Sequence, residues 1–260
     1  MSSINLIYFS PTNTSKKIAQ YIGRELDVQV ISEFDITKPD LTDLESKRFE
    51  NELTLMAIPV YKGRLPKEAV ARLRKCKANK APVIIVVVYG NREFDDALLE
   101  LNDLSIELGF VPIAAAAFIG EHSYSSEDKP IAHNRPDCED ILKAKEFANK
   151  VVAKIQNTDE NQVKVPGNYP YKELPQALAM APGTIAENCS LCGICADVCP
   201  MNIIEIKESV ITNAEDCIWC CACVKSCPED ARLFDTPFMG QIKNMLFKNC
   251  SERKEPEFFV

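Results

Sequence analysis

The chain has 260 residues, a hydrophobic share of 46% and a net charge of −8, the profile of a globular protein with room for one large domain or a medium one joined to a small one. The negative balance argues against a nucleic-acid binder or a partner on anionic membranes, because both need basic surface. The longest apolar runs, "APVIIVVVYG" and "FVPIAAAAFIG", fall short of the roughly 20 residues that cross a bilayer, and no basic segment precedes the apolar start "MSSINLIYFS", so no membrane span and no secretory leader are expected and a cytoplasmic protein is.

Over residues 1–155, apolar runs alternate with helical spacing. "INLIYF" reads as a strand, and "SKKIAQYIGREL" as a helix with Ile18, Ala19, Ile22 and Leu26 on one face. "VQVISEF" and "LTLMAIPV" read as the second and third strands, and "PKEAVARLRKC" as a helix with Pro66 at its start. "PVIIVVVYG" is so apolar that both of its faces need cover. A helix over "EFDDALLELNDLSIELG" stops at Gly109. "FVPIAAAAFIG" is a fifth strand, and "DCEDILKAKEFANKVVAKI" a last amphipathic helix. Five strands alternating with helices imply an α/β fold with a doubly wound parallel sheet. Such sheets bind ligands beyond the carboxyl ends of their strands.

Three loops lie at those ends. "SPTNTS", residues 10–15, runs from the first strand into a helix. The hydroxyls of Ser10, Thr12, Thr14 and Ser15, with the N–H groups of the helix start, suit a phosphate. The competing interpretation is an ordinary capped helix start. No Walker lysine pattern and no G-x-G-x-x-G occurs, which counts against ATP and a Rossmann dinucleotide site. "PVYKGRLP", residues 59–66, and "YGNREFDDAL", residues 89–98, follow the third and fourth strands.

The "SPTNTS" loop resembles the FMN-phosphate loop of flavodoxins, with Asn13 where those usually carry glycine, a residue that tolerates left-handed geometry. The resemblance implies a 2-1-3-4-5 strand order and FMN held by Ser10, Thr12, Asn13, Thr14 and Ser15. In flavodoxins the two later loops bracket the flavin ring; here they would supply Pro59, Val60, Tyr61, Lys62, Gly63 and Arg64 on one side, and Tyr89, Gly90, Asn91, Arg92 and Phe94 on the other. Tyr61 and Phe94 are the aromatic candidates for stacking, with Tyr89 either stacking or simply ending a buried strand. Gly63 and Gly90 would let backbone approach the ring. Lys62, Arg64 and Arg92 bring positive charge that would favour an anionic reduced flavin, although for Lys62 a solvated surface charge is the stronger reading. Both histidines, His122 and His133, read as polar loop residues, and Cys76 and Cys138 as structural.

Twelve cysteines in a cytosolic chain call for metal or redox chemistry rather than disulfides. Nine lie between Cys189 and Cys227, in the runs "CSLCGICADVCP" and "CIWCCACVKSCP", repeated at an offset of 28 residues. Zinc sites usually pair cysteines across a longer gap or add histidine, and this segment has no histidine. Each run reads C-x2-C-x2-C-x3-C-P, the spacing of bacterial two-cluster ferredoxins, in which the last cysteine of each run crosses to the other cluster. That resemblance implies two 4Fe–4S clusters, one on Cys189, Cys192, Cys195 and Cys227 and one on Cys217, Cys220, Cys223 and Cys199. Cys221 falls outside the pattern and reads as a small buried residue, and Trp219 as a shield or as packing. "NIIEI" and "SVIT" between the runs read as a short hairpin.

Together the two parts resemble the flavodoxin–ferredoxin fusion electron-transfer proteins of anaerobes. The expected layout is a flavodoxin-like domain over 1–155, a proline-rich connector over 156–183 with a short helix at "ELPQALAMA", a small α+β ferredoxin-like domain over 184–236 and a tail over 237–260, whose Phe258 and Phe259 dock back onto the protein. The implied function is single-electron transfer between a ferredoxin-type or other redox partner, the clusters and FMN. The alternative is an FMN-dependent NAD(P)H or quinone oxidoreductase that uses the clusters as a relay. The partner and a homodimer are left open.

Overall fold

Nine consecutive residues from Ala81 to Tyr89 are buried or nearly so, and their side chains divide between two cores. Val83, Ile85 and Val87 join one; Ile84, Val86 and Val88 join the other. A strand covered on both faces belongs in the middle of a parallel sheet, and each such side chain taken from water contributes about 1.5–3 kcal/mol. A computed structural model describes residues 3–26, 28–157, 162–176 and 178–260. In chain order, its first part runs β1 (Ser3–Tyr8), α1 (Thr14–Glu25), β2 (Gln29–Asp35), β3 (Leu53–Pro59), α2 (Lys67–Leu73), β4 (Ala81–Tyr89), α3 (Ala97–Glu107), β5 (Phe110–Ile119) and α4 (Cys138–Gln156). These five strands are parallel, in the order β2-β1-β3-β4-β5, the doubly wound 2-1-3-4-5 arrangement. Helices α1 and α4 cover one face, through Ile18, Ile22, Phe147 and Val151. Helix α3 and the second core cover the other, through Leu98 and Leu101. A short helix, Thr42–Ser46, and a two-residue strand pair between Arg48–Phe49 and Lys77–Ala78 decorate this frame; their few residues carry no periodic signal.

The second part contains α5 (Ile194–Asp197), β6 (Ile204–Ile206), β7 (Val210–Thr212), α6 (Ala222–Lys225), α7 (Pro237–Asn249) and β8 (Glu257–Phe259). The hairpin between the cysteine runs forms as expected, with Ile206 opposite Val210 and Ile204 opposite Thr212. The 28-residue repeat is visible in the backbone itself. Left-handed φ values recur at Leu191 and Trp219 (55° and 60°), at Gly193 and Cys221 (84° and 57°) and at Asn202 and Asp230 (53° and 49°). Five of these six residues carry a side chain that this geometry penalises, so both halves hold the same strained path.

Residues 237–260, expected as a tail that docks back through Phe258 and Phe259, hold a helix and a strand. Helix α7 has 13 residues, started by Pro237 and by Thr236, whose Oγ1 accepts the Met239 N–H at 3.2 Å. Strand β8 then adds antiparallel to the outer edge of β5, with Phe258 opposite Ala116 and Phe259 opposite Ala115, so the sheet has six strands rather than five. The alanine run Ala114–Ala117 leaves space beside that edge. Phe258 fills it on one face against Phe118 and Phe147 (ring centroids 5.6 and 5.1 Å), while Phe259 packs on the other core. An exposed edge is thereby covered.

The connector also packs. Val163 and Val165 lie against the core, the Val163 N–H donates to the Pro112 carbonyl at 3.2 Å, and the Asp96 carboxylate accepts the N–H groups of Asn168 (2.8 Å) and Lys172 (2.6 Å). Its proline-rich composition gave no sign of these anchors. Residues 158–161 of the connector, and residue 177 within the expected short helix, lie outside the described residues; 173–176 and 178–180 are not helical.

Replacing Phe258 by Ala empties the half-buried slot over Phe118 and Phe147. The expected loss is about 2 kcal/mol of unfolding free energy, read by chemical denaturation. A loss under about 0.5 kcal/mol, the range of ordinary surface changes, would show that the strand contributes nothing.

Candidate functional site

At the carboxyl ends of β1, β3, β4 and β5 the loops surround a cleft of about 430 Å3, near the lower end of the range for small-molecule sites. The first loop brings Ser10, Thr12, Thr14 and Ser15 to it. Asn13 takes the left-handed conformation (φ 62°) that turns the chain into α1; its side chain makes no cap bond and does not line the cleft. The Ser10 hydroxyl accepts the Lys16 N–H at 3.0 Å and fastens the loop to the helix. Ser15 is fully buried, and its hydroxyl has no partner within the protein. A buried polar atom without a bond is costly. An anion against the N-terminus of the 12-residue α1 would supply the missing acceptor, so the loop fits a phosphate group.

Pro59, Val60, Tyr61 and Lys62 form a second wall. Tyr61 and Arg64 exchange backbone hydrogen bonds of 2.9 and 3.1 Å across Lys62 (φ 57°) and Gly63 (φ 88°), a tight turn that needs positive φ at both central residues. A side chain at Gly63 would collide with Asp95. Tyr89, Gly90 and Arg92 form a third wall. At Gly90 a Cβ would come 2.4 Å from His122 Cδ2, so the glycine admits the histidine.

Four expected residues besides Asn13 are not brought to the cleft. Phe94 is buried, stacked on the far side of Tyr89 with centroids 5.5 Å apart. Asn91 is buried too, and its Nδ2 donates to the carbonyls of Cys250 and Glu252, both at 2.7 Å. Arg64 turns outward to Glu100 (2.8 Å) and stacks on Tyr171. Gly63 sits at the back of its turn. For Asn91 and Arg64 the partners come from distant parts of the chain, whereas Phe94 is held by its near neighbour Tyr89.

Conversely, the cleft takes in residues that the loops alone did not suggest: Glu121, His122, Ser123 and Tyr124 after β5, Lys172 and Pro175 from the connector, Ile218 and Trp219 from the second cysteine run, and Ile242, Met245 and Leu246 from α7. His122 Nδ1 accepts the Tyr124 N–H at 3.0 Å, which leaves the proton of the neutral ring on Nε2. Burial, helped by the charges of Lys225 and Arg92, lowers its pKa to about 4. Lys62 Nζ stands 4.6 Å from the centre of the Trp219 ring, and burial lowers its pKa as well. The Trp219 indole N–H donates to the Met180 carbonyl at 2.8 Å, and Phe234 and Phe238 meet the ring edge-on.

The cysteines divide into two cavities in the crossed pattern. Cys189, Cys192, Cys195 and Cys227 line one; Cys199, Cys217, Cys220 and Cys223, with Cys221, line the other. Ile218 lines both this second cavity and the cleft. Among the described residues no three His, Cys, Asp or Glu side chains gather tightly enough for a single ion. Burial pushes the Cys220 thiol up to about 12, so a thiolate there needs cationic company, which iron would provide. Of the remaining cysteines, Cys76 and Cys250 are buried while Cys138 is exposed at the start of α4. The two parts of the chain are tied by Lys225, whose Nζ contacts Glu121 and the Ser125 carbonyl (both 2.7 Å), and by Arg72, which donates to the Pro200 carbonyl at 2.7 Å.

Residues 167–232 match the family model of the 4Fe–4S dicluster domain. The chain joins a parallel sheet in the flavodoxin-like 2-1-3-4-5 order to a 4Fe–4S dicluster domain. No curated protein matches the sequence. Solved structures similar to the α/β part include flavodoxin 2 from Bacillus cereus (16% identity, TM-score 0.43, 59% of this chain and 99% of that one). The Fusobacterium nucleatum flavodoxin bound to flavin mononucleotide is another (15%, 0.41, 60% and 98%). A third is the Flv1 flavodiiron core from Synechocystis sp. (14%, 0.44, 61% and 37%). These likenesses are distant, and the flavodoxin-like description of the fold rests on its own strand order. Among the described residues no helix is long and apolar enough to cross a membrane.

His122 makes the fold sensitive to mild acid. A ring with a pKa near 4 when folded and about 6.5 when unfolded is neutral in both states above pH 6.5. Between pH 6.5 and 4 the unfolded chain takes up the proton and the folded one does not, so stability falls as pH falls. Unfolding at pH 5 is expected to need about 2 kcal/mol less than at pH 7 on this account, and His122→Asn should remove most of that difference. An identical pH dependence in wild type and variant would contradict the assignment.

Proposed function

We infer that this chain is an electron carrier that holds FMN in the cleft and one 4Fe–4S cluster in each cysteine-lined cavity, and that it passes single electrons from a redox protein to the flavin in anaerobic metabolism. The observation that carries the reading is Ile218, which lines both the cleft and the second cavity. Trp219 beside it, between two of the proposed ligands, lines the cleft as well. Iron–sulfur clusters exchange one electron at a time, and FMN takes one or two. Two stores separated by one layer of side chains suit direct transfer with no mobile intermediate.

The residues divide the work. Ser10, Thr12, Thr14 and Ser15 would bind the FMN phosphate. Tyr61, Tyr89, Tyr124 and Trp219 would enclose the ring, with His122 Nε2–H and Arg92 as polar neighbours. The cavity on Cys189, Cys192, Cys195 and Cys227 would be the entry point, since Leu191 and Cys192 are exposed at its rim. The cavity on Cys199, Cys217, Cys220 and Cys223 would be the relay. The donor would be a ferredoxin-type or other soluble redox protein, with the whole system in the cytoplasm.

Two measurements test this reading. Removing the orphaned hydroxyl in Ser15→Ala deletes one hydrogen bond to a charged phosphate, worth about 1.5–3 kcal/mol. FMN should therefore bind roughly ten- to a hundredfold more weakly, as read by quenching of flavin fluorescence. Unchanged affinity would move the phosphate elsewhere. In the second, reconstituted protein is mixed anaerobically with reduced methyl viologen or with NADH. The viologen should bleach cluster and flavin bands, and Cys220→Ser should slow flavin reduction at least tenfold while FMN stays bound. Bleaching by NADH within seconds would replace the carrier reading with a nicotinamide-linked reductase.

A further inference from the structure

The 28-residue repeat pairs Arg232 with Ile204. The two occupy matching places. Ile204 lines the cavity of Cys199, Cys217, Cys220 and Cys223, and Arg232 lines that of Cys189, Cys192, Cys195 and Cys227. Both are buried, at 8% and 4% exposure. An isoleucine satisfies such a position by being apolar. An arginine does not, because a buried charge without an anionic partner costs several kcal/mol.

Among the described residues only uncharged hydrogen-bond partners offset that cost. Arg232 Nη1 donates to Thr184 Oγ1 at 2.6 Å, and Nη2 donates to Thr212 Oγ1 at 2.9 Å and to Cys223 Sγ at 3.8 Å. Its Nε has no partner, and among the described residues no carboxylate pairs with it. The group instead stands between the two sets of thiols, lining one cavity and hydrogen-bonded to a cysteine of the other.

We propose that Arg232 is a potential-setting residue shared by the two clusters, a fixed positive charge that makes both easier to reduce and acts most strongly on the one held by Cys223. The proposal rests on the two-cluster reading. Reduction of a cluster adds one electron and no proton, so the negative charge of the cluster and its thiolates grows by one. A guanidinium held close, with an N–H directed at a ligand sulfur, stabilises the more negative form and raises the potential. Because the hydrogen bond falls on Cys223, the cluster next to the flavin gains most, and this contribution biases an electron entering at Cys192 towards the cleft.

The experiment compares wild type with Arg232→Gln, Arg232→Lys and Arg232→Ile after reconstitution. Iron and sulfide analysis reports assembly, and an anaerobic redox titration followed by electron paramagnetic resonance reports the potentials. Arg232→Gln is expected to keep its iron and to shift the reduction equilibrium of one cluster at least tenfold towards the oxidised form, about 59 mV for a one-electron couple. Arg232→Lys should stay within twofold of wild type. If the glutamine variant assembles poorly, Arg232→Ile, which installs the residue of the companion repeat, should show the same downward shift. Wild-type potentials in the neutral variants, or a lysine variant as low as the glutamine one, would overturn the proposal. A wild type that takes up no iron would instead overturn the two-cluster reading beneath it.

Discussion

Two residues, Ile218 and Trp219, fill the interval between Cys217 and Cys220, and they face two compartments at once. The cysteine-lined cavity bounds the chain on one side of them and the cleft on the other. The turn achieves both by placing Trp219 in the left-handed region at φ 60°, a conformation that costs roughly 1–3 kcal/mol for a bulky residue. The cost is offset locally. The indole N–H has the Met180 carbonyl, the ring has Phe234 and Phe238 at its edges, and the ammonium of Lys62 stands over its face. Lys62 is itself held in left-handed geometry, by the turn before Gly63. Two strained turns from opposite parts of the chain thus meet in one contact, and each gives the other a reason to persist.

The rest of the molecule holds that contact in register. Connector residues 162–176 run along the loops of the sheet and are fixed by the Asp96 carboxylate. Helix α7 roofs the cleft with Ile242, Met245 and Leu246. The chain then returns past Asn91, whose amide nitrogen binds two carbonyls, and past Arg135, which pairs with buried Asp140 at 2.9 Å and donates to the Lys254 carbonyl at 2.8 Å. Strand β8 ends the path on the sheet edge. The sheet is therefore both the floor of the cleft and the anchor for the segments that enclose it. Losing the last strand would loosen the roof as well as the edge.

Much of this was legible in the residues. The five parallel strands could be read because burial on both faces leaves runs such as "VIIVVV" with no competing interpretation, and the cysteine spacing carries its own geometry. The first two walls of the cleft followed from their position after β1 and β3. What escaped was decided by tertiary contacts, most of them between distant segments. Phe94 has the composition of a stacking residue, but Tyr89 offers it a buried place beneath the cleft. Asn91 and Arg64 look like ligand-binding groups until Cys250, Glu252, Glu100 and Tyr171 occupy them. Trp219 and His122 gave no local hint of a shared cavity, since about a hundred residues separate them in the chain. Strand β8 is three residues long, behind the charged stretch "SERKEPE", too short for any alternation to show; only the alanines of β5 imply that something must fill the space beside them.

The same enclosure bears on how electrons enter. Hydride transfer from a nicotinamide needs the donor ring laid against the flavin at reacting distance, about 3–3.5 Å. Trp219 and the apolar residues Ile242, Met245 and Leu246 of α7 wall the cleft that the carrier reading assigns to FMN, and would crowd a second ring there. Single electrons have no such requirement, because they need proximity to a cluster and not access to the ring face. A protein that walls off its flavin gains selectivity for the one-electron route and gives up the two-electron one. On the carrier reading, a cluster ligand loop in that wall would turn the barrier to hydride donors into the path for electrons. On this view the fusion of two domains into one chain is the means of building the wall, and not only of keeping two carriers together.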